Sequence, residues 1–547
     1  MVGVDYVRIV EALKPGLGPK GPGVYRFLRW VNRGLVRRFY ASVEEPEAAQ
    51  KAVLASLLRG AAGTDFSQGH GLEKVRTLED FRAAVPIRSH DELRPWLGRV
   101  AEGQHNVLTR EPVERLLETS GTTGHPKHLP VTASWARCVQ EAQALWTLGL
   151  VREQPGVSKG GLLTVVSPQE HAVSTGGLPV GSNTGRIRQA QPWWVRNRYV
   201  VPDAVLGIRS PLARQYAMLR FAISANVSSW TTANPSMVLL LCRRLIEWQE
   251  ALAKDVSGGT LRHGPASSLA GPIRESLERL LKPGQPPEEW KPCAIWDLAA
   301  VNCWTQGPAA YFAARLPDAL GGDVPIRDVG IRASEGFFAF PMRAQDPGSV
   351  LWAGGHLLEF IGDDGRPRWS WELEAGEEVR MVVSTQAGLY RYDIADRLHV
   401  VGRCGRVPIV RFVGKHGRYL NCLGEKVTEA QVSAAMLSAA EEQGLSPVGF
   451  SVHVRLGDTP DYELAVEVEG PSEGLAAAFD DALMRGNVEY EGKRKSGRLG
   501  RPQLHIVAPG SFARYREQRV LAGAPEGQVK DPILALDDAT WAQVLGL

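Results

Sequence analysis

Thr119-Ser120-Gly121-Thr122-Thr123-Gly124-His125-Pro126-Lys127 is the stretch from which the rest of the chain can be read. Its first six residues hold four hydroxyls and two glycines, so backbone N–H groups can turn inward on an anion with little Cβ obstruction, and Lys127 adds a mobile positive charge. Apolar residues within 113–117 precede it. Leu129-Pro130-Val131-Thr132 leads from it into a helix predicted over 133–148, so the loop joins regular elements. A Walker A loop needs four residues between its glycines and Ser or Thr directly after Lys to hold Mg²⁺. Here two residues separate the glycines, Pro126 precedes Lys127 and His128 follows it, which excludes a kinase or GTPase loop. A plain Gly/Thr turn is the bland alternative, and nine residues of this composition argue for the phosphate loop.

The chain of 547 residues, 44% apolar, is too long for one core and predicts at least two domains. Lys plus Arg (63) nearly balance Asp plus Glu (60), so no global basic field points to nucleic acid. The six cysteines form no C-x-x-C pair, which argues against structural zinc and a disulfide framework and suits a reducing cytoplasm. Met1 to Asp5 does not open a signal peptide, and no apolar run is long enough to span a bilayer. After a Pro/Gly arm over 14–23, residues 24–43 predict a helix with Phe27, Trp30, Leu35 and Phe39 interleaved with arginines. We read it as packing its apolar face on the main domain, with a membrane-surface helix as the alternative.

Two further constellations lie downstream. A short strand over 324–330 runs into Ile331-Arg332-Ala333-Ser334-Glu335-Gly336, and a strand whose carboxyl end opens into small and acidic residues is where open α/β sheets bind ligands. The other is Gly388-Leu389-Tyr390-Arg391-Tyr392-Asp393-Ile394-Ala395-Asp396, between predicted strands at 379–385 and 398–402. A formal G-x-S-x-G at 156–160 has a loop before the Ser and a strand after it, the reverse of a nucleophile elbow. Helices are predicted over 211–225 and 235–253, a strand over 294–304 and a Gly/Trp-rich substrate-lining loop over 174–202. Beyond a glycine-bracketed basic turn at 414–417, helices at 429–444 and 474–485 alternate with strands near 448–456, 462–468 and 503–507, a small α+β unit.

Residues 119–127 resemble the signature loop of the adenylate-forming superfamily. Their flanks are similar to the auxin-inducible acyl-acid amido synthetases of plants (the Gretchen Hagen family) and their bacterial relatives, a resemblance running from about residue 47 to the C-terminus. It implies an α/β fold with a large N-terminal ATP- and acyl-acid-binding domain over 1–413, of mixed sheets with flanking helices, and a small mobile α+β lid over 414–547. The implied cofactors are ATP and Mg²⁺. The resemblance puts Thr119, Ser120, Gly121, Thr122, Thr123, Gly124 and Lys127 on the phosphates, and Ser334, Glu335, Tyr392 and Asp396 around the nucleotide. Glu335 would hold Mg²⁺, for which one carboxylate suffices because ATP oxygens and water complete the octahedron. Asp396 would accept hydrogen bonds from the ribose hydroxyls. Asp393 and Ala395 depart from the plant pattern, which carries Arg and Gly there. A lid lysine would stabilise charge on the α-phosphate: Lys530, taken to follow the last strand, is the first choice and Lys493 the second.

The resemblance implies a ligase that adenylates a carboxylic acid to acyl-AMP and pyrophosphate and then transfers the acyl group to an amine, an amino acid being the expected one. No obligatory protein partner is expected. An acyl-CoA ligase and a non-catalytic binder of nucleotide or small acid remain as alternatives.

Overall fold

The computed structural model describes residues 23–119, 127–344, 346–423, 425–457, 459–495, 497–524 and 529–546. Its largest sheet has eight strands, in the order Pro367–Trp369, Leu357–Ile361, Glu378–Ser384, Tyr392–Cys404, Val407–Lys415, Ser349–Leu351, Gly336–Phe340, Ile331–Ala333. Its paired neighbours run antiparallel. Burial alternates residue by residue along 392–400, so Tyr392, Ile394, Asp396, Leu398 and Val400 share the inward face. Asp396 is thus a carboxylate in a row of otherwise apolar positions.

A second sheet is parallel throughout: Gly161–Thr164, Val227–Thr231, Ala300–Cys303 and Ile326–Asp328. Parallel neighbours need long crossovers. These are supplied by helices that include Pro211–Ile223 and Pro235–Glu247, which bury Tyr216, Ala217, Leu241 and Leu245 against the sheet. A third sheet contains the hairpin Arg115–Thr119 and Lys127–Val131. The fourth, Gln503–Ile506, Asp461–Glu467, Gly449–Arg455 and Leu534–Ala535, is covered by Glu429–Glu442 and Leu475–Gly486 and forms the C-terminal unit. No helix of the described residues is long and apolar enough to cross a membrane.

Several expected elements are corrected. The helix over 24–43 is two helices, Gly23–Val31 and Arg33–Glu44, because Asn32 folds its side-chain amide back onto the Leu28 carbonyl at 2.8 Å and ends the first. The second packs as expected through Leu35, Val36, Phe39 and Val43, but the first leaves Phe27 and Trp30 56% and 63% exposed. The helix begun at Ala133 runs on to Glu153, since Leu150 and Val151 continue its buried face. Trp248 breaks the 235–253 helix in two. The strand expected over 294–304 is confined to Ala300–Cys303, behind a helical turn, Pro292–Ile295. The separate strand at 398–402 is part of the single strand Tyr392–Cys404.

That strand is anchored at its start by Arg391. Nε and Nη2 bond the two Glu359 oxygens at 2.8 and 2.9 Å, and Nη1 bonds the carbonyls of Arg82 and Val85 at 3.0 and 2.7 Å. Arg82 reaches Glu359 as well, at 2.8 Å, while stacking on Trp369. Four charge-assisted bonds, two to the buried Glu359 carboxylate and two to backbone carbonyls, hold Arg391 at φ +48°, a left-handed conformation costing about 1–2 kcal/mol in a residue with a Cβ. Arg391→Ala should destabilise the protein by about 3–5 kcal/mol in urea unfolding, because Glu359 keeps only Arg82, and the Arg391→Ala/Glu359→Ala double variant should cost less than the two single losses together.

Candidate active site

One cavity of about 1790 Å³ opens between the large sheet, the parallel sheet and the C-terminal unit. Lys127, Ser334, Glu335, Tyr392, Asp396 and Lys530 line it, so stretches far apart in sequence meet in one space. Ser120, Gly121, Thr122, Thr123 and Gly124 lie outside the described residues. Thr119 and Lys127 are antiparallel partners at the ends of the two paired strands, and the second strand starts with Lys127 in the cavity wall.

Glu335 sits in the turn between the paired strands 331–333 and 336–340, where its backbone carbonyl accepts a 2.7 Å bond from Trp135 Nε1. Its carboxylate forms no ion pair among the described residues. Burial raises its pKa, with Lys415 and Lys127 opposing and Asp396 adding to the rise. Burial likewise lowers the Lys127 pKa, against the pull of Glu335.

Asp396 owes its place to a bulge. Across the 378–384 strand the register moves from Val382↔Asp393 to Arg380↔Arg397, leaving residues 394–396 opposite Met381 alone. Ala395 takes φ +59° there, the conformation that glycine would adopt without strain. Asp393 holds that turn by accepting from Ala395 N–H at 2.8 Å while pairing with Arg380 at 3.1 Å, so the two departures from the plant pattern are neighbours in one local structure. Asp396 is buried, and Lys415 Nζ approaches its Oδ1 to 2.5 Å while donating to the Ile394 carbonyl at 2.9 Å. Burial acts to lower the Lys415 pKa, but Asp396 and Glu335 outweigh it and the net shift is upward. The sequence marked Lys415 only as a turn residue, and nothing in its local pattern shows a partner nineteen positions back.

Lys530 places Nζ 4.7 Å from the Trp304 ring centre. Its side chain is exposed toward the cavity it lines, and the groups packed around it lower its pKa by desolvation, with Glu429 opposing and Lys415 reinforcing. It does not follow the last strand: the helix Ser511–Leu521 comes between it and the 503–506 strand, and Leu534–Ala535 lies after it. Lys493 is not among the cavity-lining residues, and its Nζ is 2.6 Å from Glu489, one turn earlier on the helix Val488–Lys495.

At the stem of the hairpin, Glu118 lies 3.7 Å from His128 and 3.4 Å from His171, a cluster that sequence reading did not find because His171 lies far along the chain, just before the strand Ala172–Val173. His128 and then His171 bring the Glu118 carboxyl down from 4.5 to about 2, and Glu118 raises His171 above 6.5. The acid's stabilisation is full above 4.5 and fades as pH falls toward 2. That of His171 is full below 6.5 and fades as pH rises through its folded value. In Glu118→Gln, NMR titration should find the His171 pKa moved down toward 6.5, and the stability contributed between pH 4.5 and 6.5 should be lost. An unchanged His171 pKa would remove Glu118 as its partner.

Residues 35–326, 350–415 and 430–539 match, respectively, the N-terminal, central and C-terminal domains of the GH3 family. Indole-3-acetic acid-amido synthetase GH3.8 of Oryza sativa subsp. indica is 26% identical, over 89% of this chain and 88% of its own. Jasmonoyl–L-amino acid synthetase JAR4 of Nicotiana attenuata is 25% identical, over 91% and 92%. The solved GH3.15 acyl acid amido synthetase superposes with a TM-score of 0.83 at 19% identity, covering 97% of each chain. A 2-hydroxyisobutyryl-CoA ligase in the postadenylation state superposes at 0.51 with 16% identity, over 93% and 95%. With its N-terminal match alone spanning more than half of the sequence, and all three domains in order, the chain belongs to the GH3 family.

Proposed function

We propose that the protein is an ATP-dependent acyl-acid amido synthetase. The observation that carries this reading is the meeting of Lys127, Glu335, Asp396 and Lys530 in a single cavity. A carboxylate is a poor electrophile, and adenylation gives it a leaving group. A carboxylate oxygen attacks the α-phosphorus of ATP and the bond to the β-phosphate oxygen breaks, releasing pyrophosphate. An amine nitrogen, that of an amino acid as in the activities named for the plant relatives, then attacks the acyl carbon and AMP departs. Asp396 accepts from the ribose hydroxyls, Lys127 and the loop before it hold the β- and γ-phosphates, and Lys530 meets the charge that grows on the α-phosphate. Lys493, outside the cavity, takes no part.

Glu335 fits a Mg²⁺ shared with ATP. Its carboxylate lines the cavity and forms no ion pair among the described residues, and one carboxylate suffices for an ion whose shell phosphate oxygens and water complete. The bound ion would screen the charge on the triphosphate. We read the unit after residue 414 as a lid turning on 414–417. In this arrangement it is docked: Tyr311 and Phe312 are buried in its core, and Tyr311 Oη donates to the Pro447 carbonyl at 3.0 Å. Swinging the lid away would expose rings worth about 2–3 kcal/mol each, which favours the docked state, and we read that state as the adenylating one because it holds Lys530 in the cavity. Six free thiols suit a cytoplasmic setting, and the departures at Asp393 and Ala395 weaken any transfer of the plant relatives' substrate specificity to this chain.

Pyrophosphate exchange with ATP, Mg²⁺ and a panel of aryl and aliphatic acids tests this. At least one acid should support exchange, Asp396→Ala and Lys127→Ala should abolish it, and Lys530→Ala should lower it by about 10²–10³. Lys493→Ala should leave it unchanged. No exchange with any acid would contradict adenylation, and discharge of the acyl-AMP by CoA but by no amino acid would make the protein an acyl-CoA ligase.

A further inference from the structure

The cavity continues past the groups used above, between the 133–153 helix and the 331–340 hairpin, where its wall carries Arg332. The guanidinium lies 4.0 Å from the Phe337 ring centre and 5.6 Å from that of Trp146. Nε donates to the Val329 carbonyl at 2.8 Å and Nη1 to Gln143 Oε1 at 3.3 Å, while Nη2 is buried without a partner among the described residues. No carboxylate of the described residues pairs with it. Asp328, whose field it feels, is committed to the Thr305 N–H and O–H at 2.7 and 2.8 Å and to the Gly330 N–H at 2.6 Å. Arg188, another arginine of the cavity wall, has Asp203 at 2.9 Å. Burial pushes Arg332 down to about 9, which still leaves it charged at neutral pH. Arg332 is partly buried with its Nη2 fully enclosed, and a cation held there without a counter-ion is destabilising where methionine or leucine would fill the place without that cost.

The hairpin fixes how far this charge lies from the reacting end. Trp135 holds the backbone of Glu335, whereas Arg332 meets Gln143, eight residues further along the same helix, which is about 12 Å at 1.5 Å per residue. We propose that Arg332 is the counter-ion for a second anionic oxygen group on the acyl acid, at the end remote from the carboxylate that is activated. The substrate class is then a carboxylic acid carrying a distal carboxylate or equivalent oxyanion, recognised by charge-assisted hydrogen bonds from the guanidinium. This rests on the adenylating reading of the same cavity.

The test compares acids matched in length and differing only in the distal group: octanoate with suberate, and phenylacetate with 4-carboxyphenylacetate. Binding is followed without ATP by tryptophan fluorescence, Trp146 being beside the guanidinium, and pyrophosphate exchange is measured with the same four acids. In at least one pair the wild-type protein should bind the dicarboxylate ten-fold or more tightly than its partner. Arg332→Gln should erase that preference while leaving the monocarboxylate and ATP affinities in place, and Arg332→Lys should restore part of it. No preference in either pair overturns the proposal, and this outcome needs no variant to fold. Equal weakening of both members of a pair by Arg332→Gln also overturns it, by putting Arg332 on the reacting carboxylate. Failure of the adenylating reading is seen separately, as acids that bind without supporting exchange.

Discussion

The ion pair between Asp396 and Lys415 is the contact on which the arrangement of the site depends. It joins two adjacent strands of the large sheet at the point where the chain leaves that sheet for the C-terminal unit. Asp396 occupies an inward position that its neighbours fill with apolar side chains, and a carboxylate there needs a partner. Lys415 is that partner in the described state, and it comes from the strand end next to the proposed hinge. Ribose hydroxyls would compete with Lys415 for the same oxygens, so filling the nucleotide site and loosening the hinge share one set of hydrogen bonds.

Around this pair the cavity gathers Lys127, Lys415 and Lys530 against Glu335 and Asp396. These three lysines are the cations that an incoming triphosphate would meet. The low dielectric of the cavity shows in the direction of the shifts, Lys127 and Lys530 moving down and Glu335 up. Burial works against each of these charges, and an incoming polyphosphate with its cation would compensate all three.

Much of this was legible in the sequence. Motif residues could be read because each lies where a strand ends or bends, and Gly, Ser and acidic residues mark such places: Glu335 in its turn and Asp396 at its bulge. The small α+β unit followed from the order of predicted elements, and the large α/β body from the resemblance that the motifs carry. What could not be read is long-range. The continuity of 392–404 was hidden by Ala395-Asp396, since a bulge looks like a strand break. Lys493 and Lys530 have similar local surroundings, and only the tertiary path through the 511–521 helix brings Lys530 to the cavity. Lys415, Arg332 and the Glu118 cluster gain their meaning from partners on other elements.

The central claim is that Asp396 reads the ribose, and calorimetric binding of ATP against 2′-deoxy-ATP and 3′-deoxy-ATP to the wild-type and Asp396→Asn proteins tests it most directly. The account predicts that the wild type binds ATP about ten-fold or more tightly than either deoxy analogue and that Asp396→Asn loses the discrimination. Equal affinity of the wild type for all three nucleotides would contradict it.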